Sequence, residues 1–164
     1  MSVPSYQLKT RSVPVEVSLG LGRKLSGDIF LHAGSGAHTG DESIADLMND
    51  DAPFFPMRVT GEGGEMLLVA KHHVHFMLVP PLGADERIAT ERESAVCLDV
   101  TLELDDGQEL AGALYAELPP GKKRTLDFLN APGDAFVVLV QKERDCLVNR
   151  AKIQLLRDTV RLSE

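Results

Sequence analysis

The sequence predicts an all-β protein in which one module is present twice. Apolar and polar residues alternate over several short segments, 9 Pro and 14 Gly interrupt the 164-residue chain, and the second half repeats the pattern of the first. Alternation with period two is typical of half-buried strands, and frequent turn residues favour short strands over long helices. We therefore expect one copy at residues 1–80, a charged linker at 81–94 and a second copy at 95–164.

The repeat consists of three collinear blocks. Val15–Leu19 matches Val100–Leu104 at an offset of 85, Asp46–Asn49 matches Asp127–Asn130 at 81, with Phe55 on Phe136, and Leu68–Lys71 matches Leu147–Arg150 at 79. The offset falls only at Gly-rich segments of the first half, where loops tolerate insertions. Such a pattern is typical of an internal duplication.

The strands that open the second copy show the clearest periodicity. Its apolar positions are Val96, Leu98, Val100, Leu102 and Leu104. The cluster Asp105–Gly107 predicts a tight hairpin. The strand after it, Gln108–Ala116, contains Gly112, which indicates a bend or a bulge.

The remainder of the second copy is predicted to form one helical turn and three strands. Thr125 is a suitable N-cap for a turn over Thr125–Asn130, and Asn130 is suited to end it. The strands are expected at Ala135–Gln141, Asp145–Asn149 and Lys152–Arg157. Five short strands with one helical turn suggest a small, strongly bent sheet that closes on itself. The charged linker could be a short helix or an extended segment, and the sequence favours the helix.

Two segments carry a family resemblance. The strand end Leu104–Gly107, followed by a Gly-containing strand, resembles the first signature of Sm-like and SH3-like small barrels, and Leu147–Ile153 resembles the second. The chain is also similar to a bacterial family of uncharacterised Sm-like domains with an Asp-x-x-Asn turn before the third strand. The resemblance implies two tandem five-stranded small barrels, each with one short helical turn. Asn149-Arg150 and Ala70-Lys71 stand where RNA-binding Sm proteins have an Arg-Gly pair.

Composition restricts the location and the partners of the protein. The N-terminal segment lacks the apolar stretch of a secretory signal, and no run is long enough to cross a membrane. Cys97 and Cys146 are the only cysteines, which is typical of a reduced compartment, so we expect a cytoplasmic protein. The net charge of −8 repels phosphate backbones at long range.

Three groups of residues are candidate sites. The repeated pairs Asp46/Asn49 and Asp127/Asn130 are interpreted as a structural motif, since Asp and Asn side chains fix turns by bonding to nearby backbone. A basic set could contact RNA or another anion, and it comprises Lys71, Lys122, Lys123, Arg124, Arg150 and Lys152. His32, His73 and His75 are the alternative metal ligands, although a solvated strand edge explains histidines as well.

The sequence contains no recognisable catalytic constellation or cofactor motif. The first hypothesis is therefore a non-enzymatic protein-interaction or oligomerisation module that needs no cofactor and binds a protein partner or a second copy of itself through sheet edges. The alternatives are an Sm-like RNA-binding protein and a histidine-based metal-binding protein.

Overall fold

The computed structural model describes residues 10–32, 42–117, 121, 125–131 and 133–158. The described strands are β1 (Thr10–Gly20), β2 (Arg23–His32), β3 (Phe54–Val59), β4 (Met66–Ala70), β5 (Phe76–Val79), β6 (Val96–Leu104), β7 (Glu109–Ala116), β8 (Phe136–Val140), β9 (Asp145–Asn149) and β10 (Ile153–Asp158). The helices are α1 (Ile44–Asn49), α2 (Glu86–Ser94) and α3 (Thr125–Asn130), and short 3₁₀ turns lie at Glu62–Gly64, Lys71–His73, Leu82–Ala84 and Arg150–Lys152. The all-β prediction is confirmed, and α2 occupies the linker that was expected to be helical.

All ten strands belong to one antiparallel sheet, in the order β10-β6-β7-β8-β9-β5-β1-β2-β3-β4. The sheet does not close, because β10 and β4 lie at opposite ends of this order. The two halves of the chain meet where β5 pairs with β9. We call this ladder, Phe76–Val79 against Asp145–Val148, the seam.

Alternating side chains explain the longest hairpin, β1–β2. Val13, Val15 and Val17 are buried in β1, and they pair across the sheet with Ile29, Gly27 and Leu25. The turn between the strands needs Gly20 and Gly22, whose φ values of 88° and 80° suit glycine. Glu16, on the opposite face of β1, is half-buried at the point where β5 pairs with this strand.

Two glycines allow neighbouring strands to approach closely. A Cβ on Gly112 would lie 2.6 Å from the carbonyl oxygen of Val140, and one on Gly27 would overlap the carbonyl oxygen of Arg58. These carbonyls belong to the neighbouring strands β8 and β3, so both glycines have room for backbone only. Gly112 therefore permits the close approach of β7 to β8.

Two apolar cores lie on the sheet, and each takes side chains from both halves. The first is formed mainly by β1–β4 and α1, but it includes Phe136 and Leu147. The second is formed mainly by β6–β9, but it includes Phe76 and Leu78. Successive residues of β5 point to opposite faces, so Met77 enters the first core while its two neighbours enter the second. The seam is thus covered by a core on each face.

Candidate functional site

Two strand edges remain unpaired within the part of the chain that the structure describes. β4 pairs with β3 alone, and β10 pairs with β6 alone. An edge strand presents backbone N–H and C=O groups that another strand can bind. We call these the β4 edge and the β10 edge.

The β4 edge carries exposed apolar side chains on one face. In the β3–β4 ladder Phe54 lies opposite Ala70, and Leu68 lies opposite Pro56, so these residues share one face of the sheet. Leu68 is 73% exposed and Phe54 is 55% exposed, while Met66 is exposed on the same face. The β10 edge adds the exposed Leu155. An apolar patch beside a free strand edge is typical of an interaction surface.

The seam is an example of two strand edges that are paired with each other. Phe76, Met77, Leu78 and Val79 lie opposite Val148, Leu147, Cys146 and Asp145, respectively, and all eight residues are buried. Burial raises the pKa of the Cys146 thiol to about 12, so this thiol stays protonated and acts as a small apolar residue.

Asn49 fastens the two halves beside the seam. Its Nδ2 donates to the carbonyl oxygen of Phe136 at 3.2 Å, and its Oδ1 accepts the Phe136 backbone N–H at 2.8 Å. One carboxamide therefore satisfies both backbone groups of one residue, as a neighbouring strand would. The sequence interpreted Asn49 as a residue that fixes its own turn, but these two bonds reach across to the other half.

Asn149 is a second buried amide at the junction. Its Nδ2 donates to the carbonyl oxygens of Val74 at 2.9 Å and His72 at 3.4 Å. Its Oδ1 accepts the N–H of Ala151 at 3.1 Å and so caps the 3₁₀ turn that follows β9. Every polar atom of this buried side chain is thus occupied, as burial requires.

The other members of the repeated motif have separate surroundings. Asp46 forms a capping box with Ser43 at the start of α1, and the Arg87 guanidinium lies 3.6 Å from it. The backbone carbonyl of Asp127 accepts the N–H of Ala131 in the last turn of α3. Asn130 is exposed, and its carboxamide has no hydrogen-bond partner among the described residues.

The predicted basic set is not assembled into one patch by its described members. Lys71 is buried, and its Nζ donates to the Leu47 carbonyl oxygen at 2.6 Å and to Asp50 at 2.5 Å. Arg150 donates to the carbonyl oxygens of Leu129, Ala131 and Asp134. Both side chains therefore hold the ends of short helices, while Lys152 is half-buried. Lys122, Lys123 and Arg124 lie outside the described residues.

The predicted metal ligands are not brought together. His32 and His73 are exposed on different elements, and His75 is buried. Instead, the Nε2 of His75 lies 2.7 Å from a carboxylate oxygen of Asp105, and one ligand atom each from His75, Asp105 and Asp106 lie within 4.8 Å of one another. Among the described residues, these three form the cluster whose ligand atoms are close enough together to hold a metal ion.

This cluster also serves as a contact between the halves. Desolvation raises the pKa of Asp106, but hydrogen bonds from Gln108 and from the Leu21 N–H outweigh it and hold that pKa below its usual value. The Asp106 carboxylate is thus ionised, and it accepts a hydrogen bond from the β1–β2 turn. The buried Nδ1 of His75 has no hydrogen-bond partner among the described residues.

A cleft of about 610 Å³ lies between the halves, bordered by the three helices. Two guanidinium groups that line it are bound to other side chains. Arg92 donates to the buried carboxylate of Asp145 at 2.9 Å and lies over the ring of Tyr115, and Arg150 lies over the ring of Phe128. Arg92 therefore joins α2 to β7 and β9, and Arg150 joins the turn after β9 to α3.

Sequence reasoning missed the seam and the role of Asn49. The one available signal was that Asn recurs at the end of both short helices, but its partner is remote in the chain. No helix in the described segments is long and apolar enough to cross a membrane. Comparison of the chain with protein-family models, curated proteins and solved structures found no match.

Proposed function

We propose that this chain is a non-enzymatic structural protein that associates with itself head to tail, with β10 of one molecule pairing with β4 of the next. The proposal treats the halves as two copies of one small Sm-like barrel. One observation carries it. The seam joins the fifth strand of the first copy, β5, to the fourth strand of the second, β9, and the free edges are the fourth strand of the first copy and the fifth of the second.

The order of strands supports the two-copy organisation. The first half runs β5-β1-β2-β3-β4 across the sheet, and the second runs β10-β6-β7-β8-β9. Adding five to each strand number of the first half gives the second. A 3₁₀ turn separates the fourth and fifth strands in both halves, at Lys71–His73 and at Arg150–Lys152.

The registers of the ladders give finer support. Four residue pairs of the first half have counterparts in the second. Val15↔Gly27 corresponds to Val100↔Gly112, and Val17↔Met77 corresponds to Leu102↔Leu156. Asp28↔Arg58 corresponds to Ala113↔Val140, and Phe54↔Ala70 corresponds to Phe136↔Asn149. The residue numbers differ by 85 in the first two strands, by 82 in the third (136 − 54) and by 79 in the last two. Phe136 therefore corresponds to Phe54, and the sequence match of Phe136 with Phe55 was one residue out.

This alignment explains the exposed apolar residues of the β4 edge. Leu68 corresponds to Leu147, and Phe54 corresponds to Phe136. The first member of each pair is 73% or 55% exposed, whereas the second is 0% or 3% exposed and packs in the core of the other half. Leu147 pairs with Met77 across the seam, and Phe136 packs in the core of the first half, whereas Leu68 and Phe54 have no corresponding neighbour among the described residues. A second molecule at the β4 edge would supply that neighbour.

The intermolecular joint should be weaker than the seam. At the β10 edge Arg157 and Asp158 stand where the seam has Leu78 and Val79, so less apolar surface would be buried. The joint also lacks a counterpart of Asn149, because Ala70 occupies that position. We therefore expect reversible association that depends on concentration. Since two different edges meet, association generates a closed ring or an open chain of molecules.

Light scattering coupled to gel filtration tests the proposal, with the wild-type chain at increasing concentration. We expect the mass to rise, and Leu68→Lys to remain monomeric because the joint would bury an unpaired charge. Leu21→Lys is the matched control, since Leu21 is 93% exposed at the β1–β2 turn, outside both edges. Wild-type protein that stays monomeric at every concentration would refute the proposal.

Ionic strength provides a second readout. Each molecule carries a net charge of −8, so added salt should strengthen association by screening the repulsion between molecules. Binding to a nucleic acid would respond in the opposite direction, since salt weakens contacts with phosphates. The same light-scattering series at low and high salt distinguishes the two responses.

A further inference from the structure

We infer that Asn130 is a latch residue of the intermolecular joint, where its carboxamide binds both backbone groups of Phe54 in the next molecule. This inference rests on the proposed self-association. It assigns a partner to Asn130, and it sets the register in which β10 meets β4.

The contact between Asn49 and Phe136 is the template. Asn49 lies at the end of α1 in the first half, and its two hydrogen bonds go to the backbone of β8 in the second half. Its carboxamide has no bond within its own half among the described residues. The recurrence of Asn at this position therefore corresponds to a contact between halves, and not to a turn inside one half.

Asn130 is placed to repeat this contact in the next molecule. α1 and α3 each have six residues and each end in Asn, at an offset of 81 (130 − 49). Phe54, which corresponds to Phe136 in the ladders, begins the third strand of the first half and is exposed. Asn130 is exposed and has no hydrogen-bond partner among the described residues. Neither its donor nor its acceptor is thus occupied by a described residue.

The register of the joint follows from the seam. Adding 79 to each β5 residue and subtracting 79 from its β9 partner converts Phe76↔Val148 and Met77↔Leu147 into Leu155↔Val69 and Leu156↔Leu68. The same offset of 79 between β5 and β10 is consistent with their other ladders. Leu155 of β10 lies opposite Glu103 of β6, as Phe76 of β5 lies opposite Ser18 of β1. Leu156 of one molecule should therefore lie directly opposite Leu68 of the next.

Substitutions of Asn130 test the latch, with the association constant measured by sedimentation equilibrium on the full chain. Asn130→Ala should weaken association roughly ten- to a hundredfold, because two hydrogen bonds are lost. Asn130→Asp keeps an acceptor but no donor, so its loss should be intermediate. Because Asn130 is exposed, neither variant should lower the unfolding midpoint of the isolated molecule measured below its association range.

Ala70→Asn is the opposite test. It restores the counterpart of Asn149, whose amide donates to the Val74 carbonyl oxygen across the junction of the halves. In the joint the corresponding acceptor is the carbonyl oxygen of Ile153 in the molecule whose β10 pairs with this β4. We expect association to tighten roughly tenfold. An unchanged association constant would contradict the assigned alignment of the joint.

Cysteine pairing tests the register and separates failure of the latch from failure of the assembly. In a Cys97→Ser background, Leu156→Cys and Leu68→Cys are prepared as single variants and mixed under oxidation. Only the mixture should give a disulfide-linked dimer, while Leu156→Cys with Met66→Cys, two residues out of register, should give little. If wild-type protein never associates, the proposed function fails. If the mixture crosslinks but Asn130→Ala associates like wild type, the latch alone is wrong.

Discussion

Lys71 illustrates how one buried cation can be structural. Its ammonium group donates to the Leu47 carbonyl oxygen near the end of α1 and to the Asp50 carboxylate just beyond it. The hydrogen bond from Lys71 holds the pKa of Asp50 below its usual 3.8, although partial burial acts in the opposite direction. A buried cation with two acceptors fixes the helix end and is unavailable to an external anion.

Replacing Lys71 with Met should change how stability depends on pH. Asp50 has a lowered pKa in the folded state, so its contribution is fully present above 3.8 and is lost as the pH falls through the folded value. Lys71→Met should lower the unfolding free energy at neutral pH by about 1–3 kcal/mol, because the Leu47 carbonyl loses its donor. It should also make the loss of stability below pH 3.8 shallower.

Denaturant titrations over a pH series measure both effects. Lys152→Met is the control, since Lys152 is half-buried on the 3₁₀ turn after β9 and its side chain has no described partner. A variant at Lys71 with the same acid dependence as wild type would show that Asp50 is stabilised by other groups.

At the scale of elements, local patterns were sufficient to predict individual strands and helices. The predicted strands Val96–Leu104 and Asp145–Asn149 are β6 and β9, and the predicted turn Thr125–Asn130 is α3. Alternation and capping depend on neighbours in the chain, so a single sequence contains them.

Pairing between remote strands could not be predicted in the same way. Nothing in the short apolar runs of β5 and β9 specifies that they pair, or that Asn49 binds the backbone of Phe136. On the proposed alignment of the halves, the sequence match of β8 was also one residue out. Both of the adjacent residues Phe136 and Val137 are buried, so alternation of apolar residues does not show which of them faces which core. A slip of one residue exchanges the faces of a strand, so Phe136 enters the first core while Val137 enters the second.

Gly27 and Gly112 provide a test of the close packing of the second strand of each half against the third. Gly112→Ala should destabilise the protein by about 1–3 kcal/mol, because the new methyl group meets the Val140 carbonyl oxygen and strand β8 must move. Gly27→Ala should cost at least as much, since the carbonyl oxygen of Arg58 is nearer. Thermal and denaturant unfolding measure the change, with the exposed Ala111→Ser as control. Unaltered stability in both variants would mean that the strands are not held this closely.

At the scale of the whole molecule, the exchange of side chains across the seam makes each half depend on the other. Phe136 and Leu147 complete the first core, and Phe76 and Leu78 complete the second. Removing either half would expose those of these residues that belong to the other half. Removing the first half would also leave the buried amide of Asn149 without its acceptor at Val74. The predicted boundary between residues 1–80 and 95–164 therefore divides the sequence into two segments, while the free energy of folding is shared between them.

We accordingly expect the molecule to unfold in one cooperative transition. Phe76→Ala should cost about 3–5 kcal/mol, because it removes a buried ring from the second core although its strand lies in the first half. Amide hydrogen exchange should show that β1 and β6 both lose protection by a similar amount, since opening of either half disrupts the seam. The matched control is Phe54→Ala, whose ring is exposed in the monomer and whose loss should change stability by no more than about 0.5 kcal/mol. Two separate transitions, with Phe76→Ala shifting only one of them, would show that the halves fold independently despite the shared cores.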